Sequence, residues 1–172
     1  MDPNEQAQIL ALLEDGKQAL LTSLEGVTGQ TAARIPAEGR WSILGVVEHM
    51  GISEDYLFGQ ILKATPTPSP IPNPTREAKM LAFGADRSRR IASPPEGFPQ
   101  GRFPTLAAAL DYFLATRART VAFVQSNPEN LRSQLTWHPI LGDANSHEML
   151  LSICVHALRH AKQIEEIKSQ LN

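Results

Sequence analysis

His156 and His160 stand four residues apart near the end of this 172-residue chain. Side chains at positions i and i+4 of an α-helix lie on the same face, so both imidazoles can reach one atom. Zinc enzymes that bind their metal from a helix use this spacing of two histidines. The same spacing also occurs on solvent-facing helices, so the pair alone does not identify a metal site.

His49 is the candidate for a third ligand. It lies beside the apolar side of its predicted helix, on a strip that also carries Gly45, Ser53 and Tyr56. Gly45 and Ser53 are small and leave space next to the imidazole, and Tyr56 is a candidate pocket residue. The alternative interpretation of His49 is an exposed histidine on a hydrated face, because the sequence does not say which helix faces meet.

The histidine pair borders the apolar stripe of the last helix. At about 100° per residue, the pair lies roughly a quarter turn from the centre of that stripe, where a cleft between helices would open. Gln163 extends the same strip by one turn, and Arg159 adjoins the pair. Either residue is a candidate for orienting a substrate or a water. The same projection turns Arg159 away from the core, so a plain surface position is its alternative.

The two remaining histidines are weaker candidates. His138 stands between Trp137 and Pro139 in a predicted loop and is a candidate for lining the pocket. His147 precedes His156 by nine residues. That separation is about 13 Å along a helix, too far to share a metal with the pair. We therefore interpret both chiefly as structural or surface residues.

Other nucleophiles and cofactors find little support. Cys154 is the single cysteine and falls on the apolar stripe of the last helix, which predicts a buried, inert thiol. The chain carries no Gly-rich phosphate loop, no Gly-x-Ser-x-Gly elbow and no paired Glu-x-x-His motifs. One cysteine cannot form an internal disulfide and favours a reducing compartment, so we expect a cytoplasmic location.

Four segments with helical spacing of apolar residues must position these side chains. They cover residues 4–24, 40–63, 104–126 and 146–171. Ser146, with an acidic residue soon after it, predicts the N-cap of the fourth segment. No segment shows sustained strand-like alternation, and only residues 131–135 resemble extended chain.

Thirteen prolines mark the breaks between these segments. Five of them fall in residues 66–74, where alternating proline forbids helix and predicts an extended, polyproline-like connector. A second cluster spans residues 94–104, and a short helix is predicted between the clusters over residues 76–83. The predicted fold is therefore all-α: a single domain of residues 1–172, a four-helix bundle with a long Pro-rich crossover between helices two and three.

Charge and composition exclude several functions. The formal charge is −2, from 16 basic and 18 acidic residues, so no basic surplus exists to neutralise nucleic-acid phosphates. No apolar run reaches the ~18 residues of a membrane span. The acidic N-terminus lacks the basic start and apolar core of a secretory signal. We expect no nucleic-acid partner, no membrane partner and no leader.

Together these residues resemble the DinB-like family of four-helix-bundle proteins. Residues 41–49, WSILGVVEH, are similar to the family's second-helix segment, which ends in a metal-ligand histidine. Residues 138–142, HPILG, and 156–164, HALRHAKQI, are similar to its loop and fourth helix, whose two histidines complete the set. The likeness extends over nearly the whole chain.

The resemblance implies that His49, His156 and His160 bind a divalent metal ion, with zinc, nickel and iron all suited to three imidazoles. Three protein ligands leave a coordination position open, as in catalytic sites. Relatives of this fold are S-transferases or isomerases that use small thiols such as bacillithiol or mycothiol. The resemblance thus implies a low-molecular-weight thiol and an electrophile as partners, and pairing into homodimers as some relatives do.

Two other functions stay open from the sequence. A metal-bound water in the open position would make the protein a metal-dependent hydrolase. A non-catalytic bundle that keeps the histidines would serve stress-associated binding or dimerisation. The leading hypothesis is a metal-dependent, thiol-dependent S-transferase.

Overall fold

Four long α-helices form the body of the molecule, as predicted, and two shorter helices join them. The computed structural model describes residues 1–67, 73–88, 91–126 and 128–171. In chain order the helices are α1 (Pro3–Ser23), α2 (Gly29–Ala33), α3 (Ile43–Leu62), α4 (Pro74–Ala85), α5 (Leu106–Gln125) and α6 (Ser146–Leu171). None of these helices, within the described residues, combines the length and apolar composition needed to cross a membrane.

Side chains at the predicted breaks cap the long helices. Asp2 accepts hydrogen bonds from the first turn of α1, Ser42 from that of α3, and Thr105 from that of α5. The cap of α6 differs from the prediction. Asn145, not Ser146, accepts from the Glu148 N–H at 2.9 Å, and the Glu148 carboxylate accepts from the Asn145 N–H at 3.1 Å. This reciprocal pair is a capping box.

The four long helices pack against one another around a buried apolar interior. α1 packs against α6 and α5, and α3 packs against α5 and α6. α1 and α6 approach closely at Gly16, where a Cβ would lie 3.0 Å from the Cβ of Ala157. In the structure this glycine permits the crossing.

A buried ion pair joins three of the helices. Arg117 of α5 and Glu54 of α3 have side chains that are each only 3% exposed, and their closest N–O distance is 2.7 Å. Arg117 also donates to the Leu13 carbonyl of α1 at 2.6 Å, and Thr120 donates to Glu54 at 2.9 Å. The charges are therefore compensated inside the bundle, which a buried pair requires.

The crossover between α3 and α5 lies over α6. Its first Pro-rich stretch, predicted as an extended connector over residues 66–74, falls partly on residues 68–72, which lie outside the described residues. α4 packs along α6 and is longer than the helix predicted over 76–83. The second proline cluster forms a 3₁₀ turn, Pro95–Gly97, and a loop. The buried Glu48 carboxylate accepts from the N–H groups of Gln100, Gly101 and Arg102, at 2.8–3.1 Å.

A small antiparallel sheet was not predicted. Its strands are β1 (Thr65–Pro66), β2 (Gln134–His138) and β3 (Gly142–Asn145), in the order β1-β2-β3. Of residues 131–135, which resemble extended chain in the sequence, the first three form a 3₁₀ turn and the last two begin β2. His138 pairs with Gly142 at the end of the β2–β3 hairpin, where Gly142 adopts a φ of 72°. The hairpin brings His138 next to α6.

Candidate metal centre

Three imidazole nitrogens converge between α3 and α6. The Nε2 atoms of His49 and His156 lie 3.1 Å apart, those of His49 and His160 3.2 Å, and those of His156 and His160 3.0 Å. Among the described histidines, cysteines and acidic residues, these three form the group whose ligand atoms lie close enough together to hold one metal ion. The structure thus brings together the three residues that the sequence singled out, and His49 is buried rather than exposed.

The crossover holds the ring of His49 from behind. Its Nδ1 lies 2.6 Å from the Gly97 carbonyl oxygen and 3.2 Å from the Ser53 hydroxyl. A carbonyl oxygen can only accept, so Nδ1 carries the proton and Nε2 presents a lone pair. A Cβ on Gly97 would lie 2.5 Å from the Ser53 Oγ and 3.3 Å from the His49 ring, so any larger residue would displace the Ser53 hydroxyl and press on the imidazole. Metal-ligating histidines characteristically donate their other ring N–H in this way.

Gln163 plays the same part for His160. Its amide oxygen lies 2.7 Å from the His160 Nδ1, so this ring too directs an unprotonated Nε2 at the other two. Arg87, from the loop after α4, donates to the same oxygen at 3.4 Å. Because the Arg87 guanidinium can only donate, the Gln163 atom that it contacts, and that faces the His160 ring, is the amide oxygen and not the NH₂ group.

Burial keeps the three imidazoles neutral. It lowers the pKa of His49 to about 4, against a smaller upward effect of the Gly97 hydrogen bond. Burial, and next the neighbouring imidazoles, hold the pKa of His156 and His160 well below the ordinary value. Neutral imidazole is the form that binds metals.

The donor set fits a divalent ion. The Nε2 atoms of His49 and His160 both present lone pairs at 3.2 Å, with no proton available between them. Such lone pairs repel unless a cation lies among them. Three nitrogens bound at about 2.0–2.1 Å to one ion lie roughly 3.0–3.4 Å apart, as they do here. Three ligands from protein leave the side facing the cavity open for a further ligand.

The histidines line a cavity of about 670 Å³. That volume suits a small organic ligand. The four residues suggested from the sequence as pocket or neighbouring residues all line it: Tyr56, His138, Arg159 and Gln163. The alternative of a plain surface position for Arg159 is wrong. This residue is only 5% exposed because α4 and the following loop cover that face of α6, and it donates to the Asp86 carbonyl.

His138 is positioned as a hydrogen-bond donor rather than as a base. Its Nδ1 accepts from the N–H groups of Ile140 and Leu141, at 3.1 and 3.2 Å. Its Nε2 therefore carries the proton and donates to the Ser152 hydroxyl at 2.9 Å. Burial lowers the pKa of His138 to about 4, with a further contribution from Arg76. Such a histidine cannot remove the proton of Ser152, so no serine nucleophile is assembled here.

His147 is buried at the far end of α6 and does not join the triad. Its Nε2 lies 2.8 Å from the Arg132 guanidinium, within an ion-pair cluster that includes Glu5 and Glu77. The sequence left both a structural and a surface position open for His138 and His147. Both are buried, which fits a structural position, because the hairpin and α4 cover this end of the bundle.

Three residues of the site were not found from the sequence. Gly97 acts through its carbonyl, which no side-chain pattern reveals. Trp41 packs on His49 with ring centroids 4.7 Å apart. Its position one residue before the Ser42 cap is the sequence feature that could have indicated a residue near the start of α3. Arg87 belongs to a basic run whose placement beside Gln163 depends on how the crossover folds.

A bundle of four long helices with three inward imidazoles on α3 and α6 defines the class of protein. A family model described as the DinB superfamily matches residues 12–164, and the chain belongs to this superfamily. No curated protein matches the chain with significance.

Two solved structures share the fold. One is YfiT from Bacillus subtilis, described as a probable metal-dependent hydrolase with an unusual four-helix bundle topology. It aligns with a TM-score of 0.62 and 14% identity over 99% of this chain and 90% of YfiT. The other is TT2238, described as a four-helix bundle protein, with a TM-score of 0.55 and 19% identity over 94% of this chain and 98% of that one. At these identities the likeness concerns the fold.

Proposed function

We propose that this protein is a metal-dependent enzyme that transfers a small thiol to an electrophile, with a divalent ion held by His49, His156 and His160. The observation that carries the proposal is the convergence of three neutral Nε2 atoms, 3.0–3.2 Å apart, at the wall of a ligand-sized cavity. A divalent ion held there would lower the pKa of a thiol or a water bound to it, so that a nucleophile is present at neutral pH.

The protein's own residues favour thiol transfer over hydrolysis. Hydrolysis benefits from a general base beside the attacking water. Within the described part of the cavity, His138 has both ring nitrogens engaged, and the Glu166 carboxylate is paired with Arg87 at 2.6 Å. Glu96, the other acidic lining residue, is exposed. A thiol would depend less on such a base, because its free pKa is about 8.5 against about 15.7 for water and a bound ion would have much less far to lower it.

The transfer itself is a substitution at carbon. The sulfur forms a bond to the electrophilic carbon as the bond from that carbon to its leaving group breaks, and the leaving group departs with the electron pair. The part of the chain is to bind both reactants and orient them. The apolar side chains around the cavity, such as Trp41, Phe98 and Leu141, offer a contact surface that would hold the two reactants in place.

Metal content tests the site. We expect close to one equivalent of a divalent metal in protein purified without a histidine tag, and a loss of about tenfold or more in His156→Ala. His147→Gln is the matched control, because His147 is a buried histidine of the same helix that lies outside the triad. Equal metal in wild type and His156→Ala would contradict the assignment.

Thiol consumption tests the reaction. The metal-loaded protein is expected to speed the loss of a low-molecular-weight thiol in the presence of an alkylating electrophile, and His156→Ala is not. Cysteine, glutathione, bacillithiol and mycothiol should be compared. A bound metal without any thiol loss would favour the non-catalytic bundle.

Hydrolysis is the second candidate function, because YfiT is described as a probable metal-dependent hydrolase. It predicts metal-dependent cleavage of an activated ester such as p-nitrophenyl acetate in the absence of thiol. Cleavage that His156→Ala abolishes, together with no thiol loss in the assay above, would assign hydrolysis instead.

A further inference from the structure

The cavity is cationic although the chain is not. Among the described residues, its wall carries the basic side chains of Arg40, Arg76, Lys79, Arg87 and Arg159, and only two acidic ones. The chain as a whole has more acidic than basic residues and a charge of −2. Arg76 is paired with Glu148 at 3.3 Å, but basic groups still outnumber acidic ones at this cavity, and such an excess favours an anionic ligand.

A single carboxylate of the cavity wall is bound by one of these arginines and lies within the electrostatic reach of two more. Arg87 donates to both carboxylate oxygens of Glu166, at 2.9 and 2.6 Å. The pKa of Glu166 is lowered chiefly by this hydrogen bond, and Arg40 and Arg159 lower it further through their charges. The Glu166 side chain is 47% exposed. An exposed ion pair contributes little to stability, so this carboxylate can give way to another.

The arginine cluster, which comprises Arg40, Arg87 and Arg159, adjoins the histidines. Arg87 donates to the Gln163 oxygen at 3.4 Å, and that oxygen accepts from His160 at 2.7 Å. Arg159 lines the same cavity as the three histidines. A small molecule whose reacting atom lies at the histidines can therefore reach the cluster with a group only a few bonds away.

We propose that the arginine cluster is an oxyanion subsite, which binds a carboxylate or phosphate group of the molecule that reacts at the histidines. The guanidinium fork matches both groups in a bidentate manner. The inference rests on the proposed function only in taking this cavity as the substrate site. It adds that the thiol, or its electrophile, carries an acidic group.

A pair of matched thiols tests the subsite. N-acetylcysteine and N-acetylcysteine amide have the same thiol and differ in one charge. Calorimetric titration of nickel-loaded protein should show about tenfold tighter binding of the acid. Arg87→Met and Arg40→Met should each reduce this preference severalfold. Arg119→Met should keep it, because Arg119 is an exposed arginine of α5 paired with Asp55 outside the cavity.

Metal-free protein gives a second readout that needs neither metal nor thiol. Inorganic phosphate or acetate, at constant ionic strength, should raise the melting temperature of wild type and Arg119→Met but not of Arg87→Met. The more effective anion identifies the group. Equal binding of the two thiols, or their preference unchanged in both cluster variants, would overturn the subsite, as would the lack of any anion effect on melting.

The two proposals fail differently. If thiols bind equally well with and without nickel while anions still raise the melting temperature through Arg87, the thiol-transfer function is wrong and the subsite stands. If nickel strengthens thiol binding but acid and amide bind alike, the function stands and the subsite is wrong.

Discussion

The Nδ1 atom of His49 lies 2.6 Å from the carbonyl oxygen of Gly97, so a loop of the crossover fixes the direction of a buried imidazole in α3. Glu48, the residue before His49, anchors the same loop through three backbone N–H groups. Two adjacent residues of one helix thus bind the crossover, one as acceptor and one as donor. The crossover is part of the candidate metal centre.

Gly97→Ala should weaken metal binding about 10- to 100-fold while helix content stays constant. The new Cβ would fall 2.5 Å from the Ser53 Oγ and 3.3 Å from the His49 ring, so the Ser53 hydroxyl must turn aside and the imidazole must move away from its contact with the Gly97 carbonyl. The measurement is a competitive titration against a chromophoric chelator. Gly59→Ala in α3 is the control, because a Cβ there meets nothing within 4 Å. Equal affinity in the two variants would show that the Gly97 contact does not orient the ligand.

Gln163→Leu should also lower metal affinity by about tenfold or more, because the His160 ring loses the acceptor of its Nδ1 proton. Gln163→Glu should retain affinity, since a carboxylate oxygen accepts the same proton. Gln170→Leu, which changes another glutamine of the cavity wall, is the control. Isothermal titration with nickel measures all three. A loss in Gln163→Glu as large as in Gln163→Leu would argue against an orienting role.

The stability of the metal-free protein should fall as the pH drops from 6.5 to about 4, in part through His138. The folded pKa of His138 is about 4, below that of the unfolded chain, so the unfolded state takes up the proton first. Over this window His138 should contribute a loss of about 1–3 kcal/mol. Urea unfolding at several pH values measures it. His138→Asn, which keeps an acceptor for the hairpin N–H groups, should show a shallower slope, and an unchanged slope would contradict the assignment.

Glu54→Gln should destabilise the bundle by about 3–5 kcal/mol, because it leaves the Arg117 guanidinium buried without its countercharge. Glu14→Gln removes a carboxylate from an exposed pair with Lys17 and should change the free energy of unfolding far less. Urea unfolding of both variants gives the comparison. A cost for Glu54→Gln as small as that of Glu14→Gln would show that the pair is dispensable.

The sequence predicted the long helices and not the small sheet, for a physical reason. Each long helix repeats its apolar spacing over five or more turns, whereas β2 has five residues and β3 has four. So short a pattern cannot be separated from loop by periodicity. β1 contains Pro66, which is tolerated because it lies in an edge strand.

The candidate metal centre was likewise predicted only in part. His49, His156 and His160 were found because residue type and spacing are visible in the sequence. The burial of Arg159 was not predicted, because a helical projection assumes that the far face of α6 meets solvent. In the structure α4 covers that face. Gly97 contributes only backbone to His49, and its position depends on the anchoring of residues 100–102 by Glu48.

The burial of Cys154 has a practical consequence for every assay that counts thiols. Its side chain packs in the core, and burial raises the pKa of the thiol to about 12. The folded chain should therefore contribute no background to a thiol-loss measurement at neutral pH. The same residue becomes reactive when the bundle opens, so the rate at which an alkylating reagent labels this single cysteine reports how often the native protein unfolds.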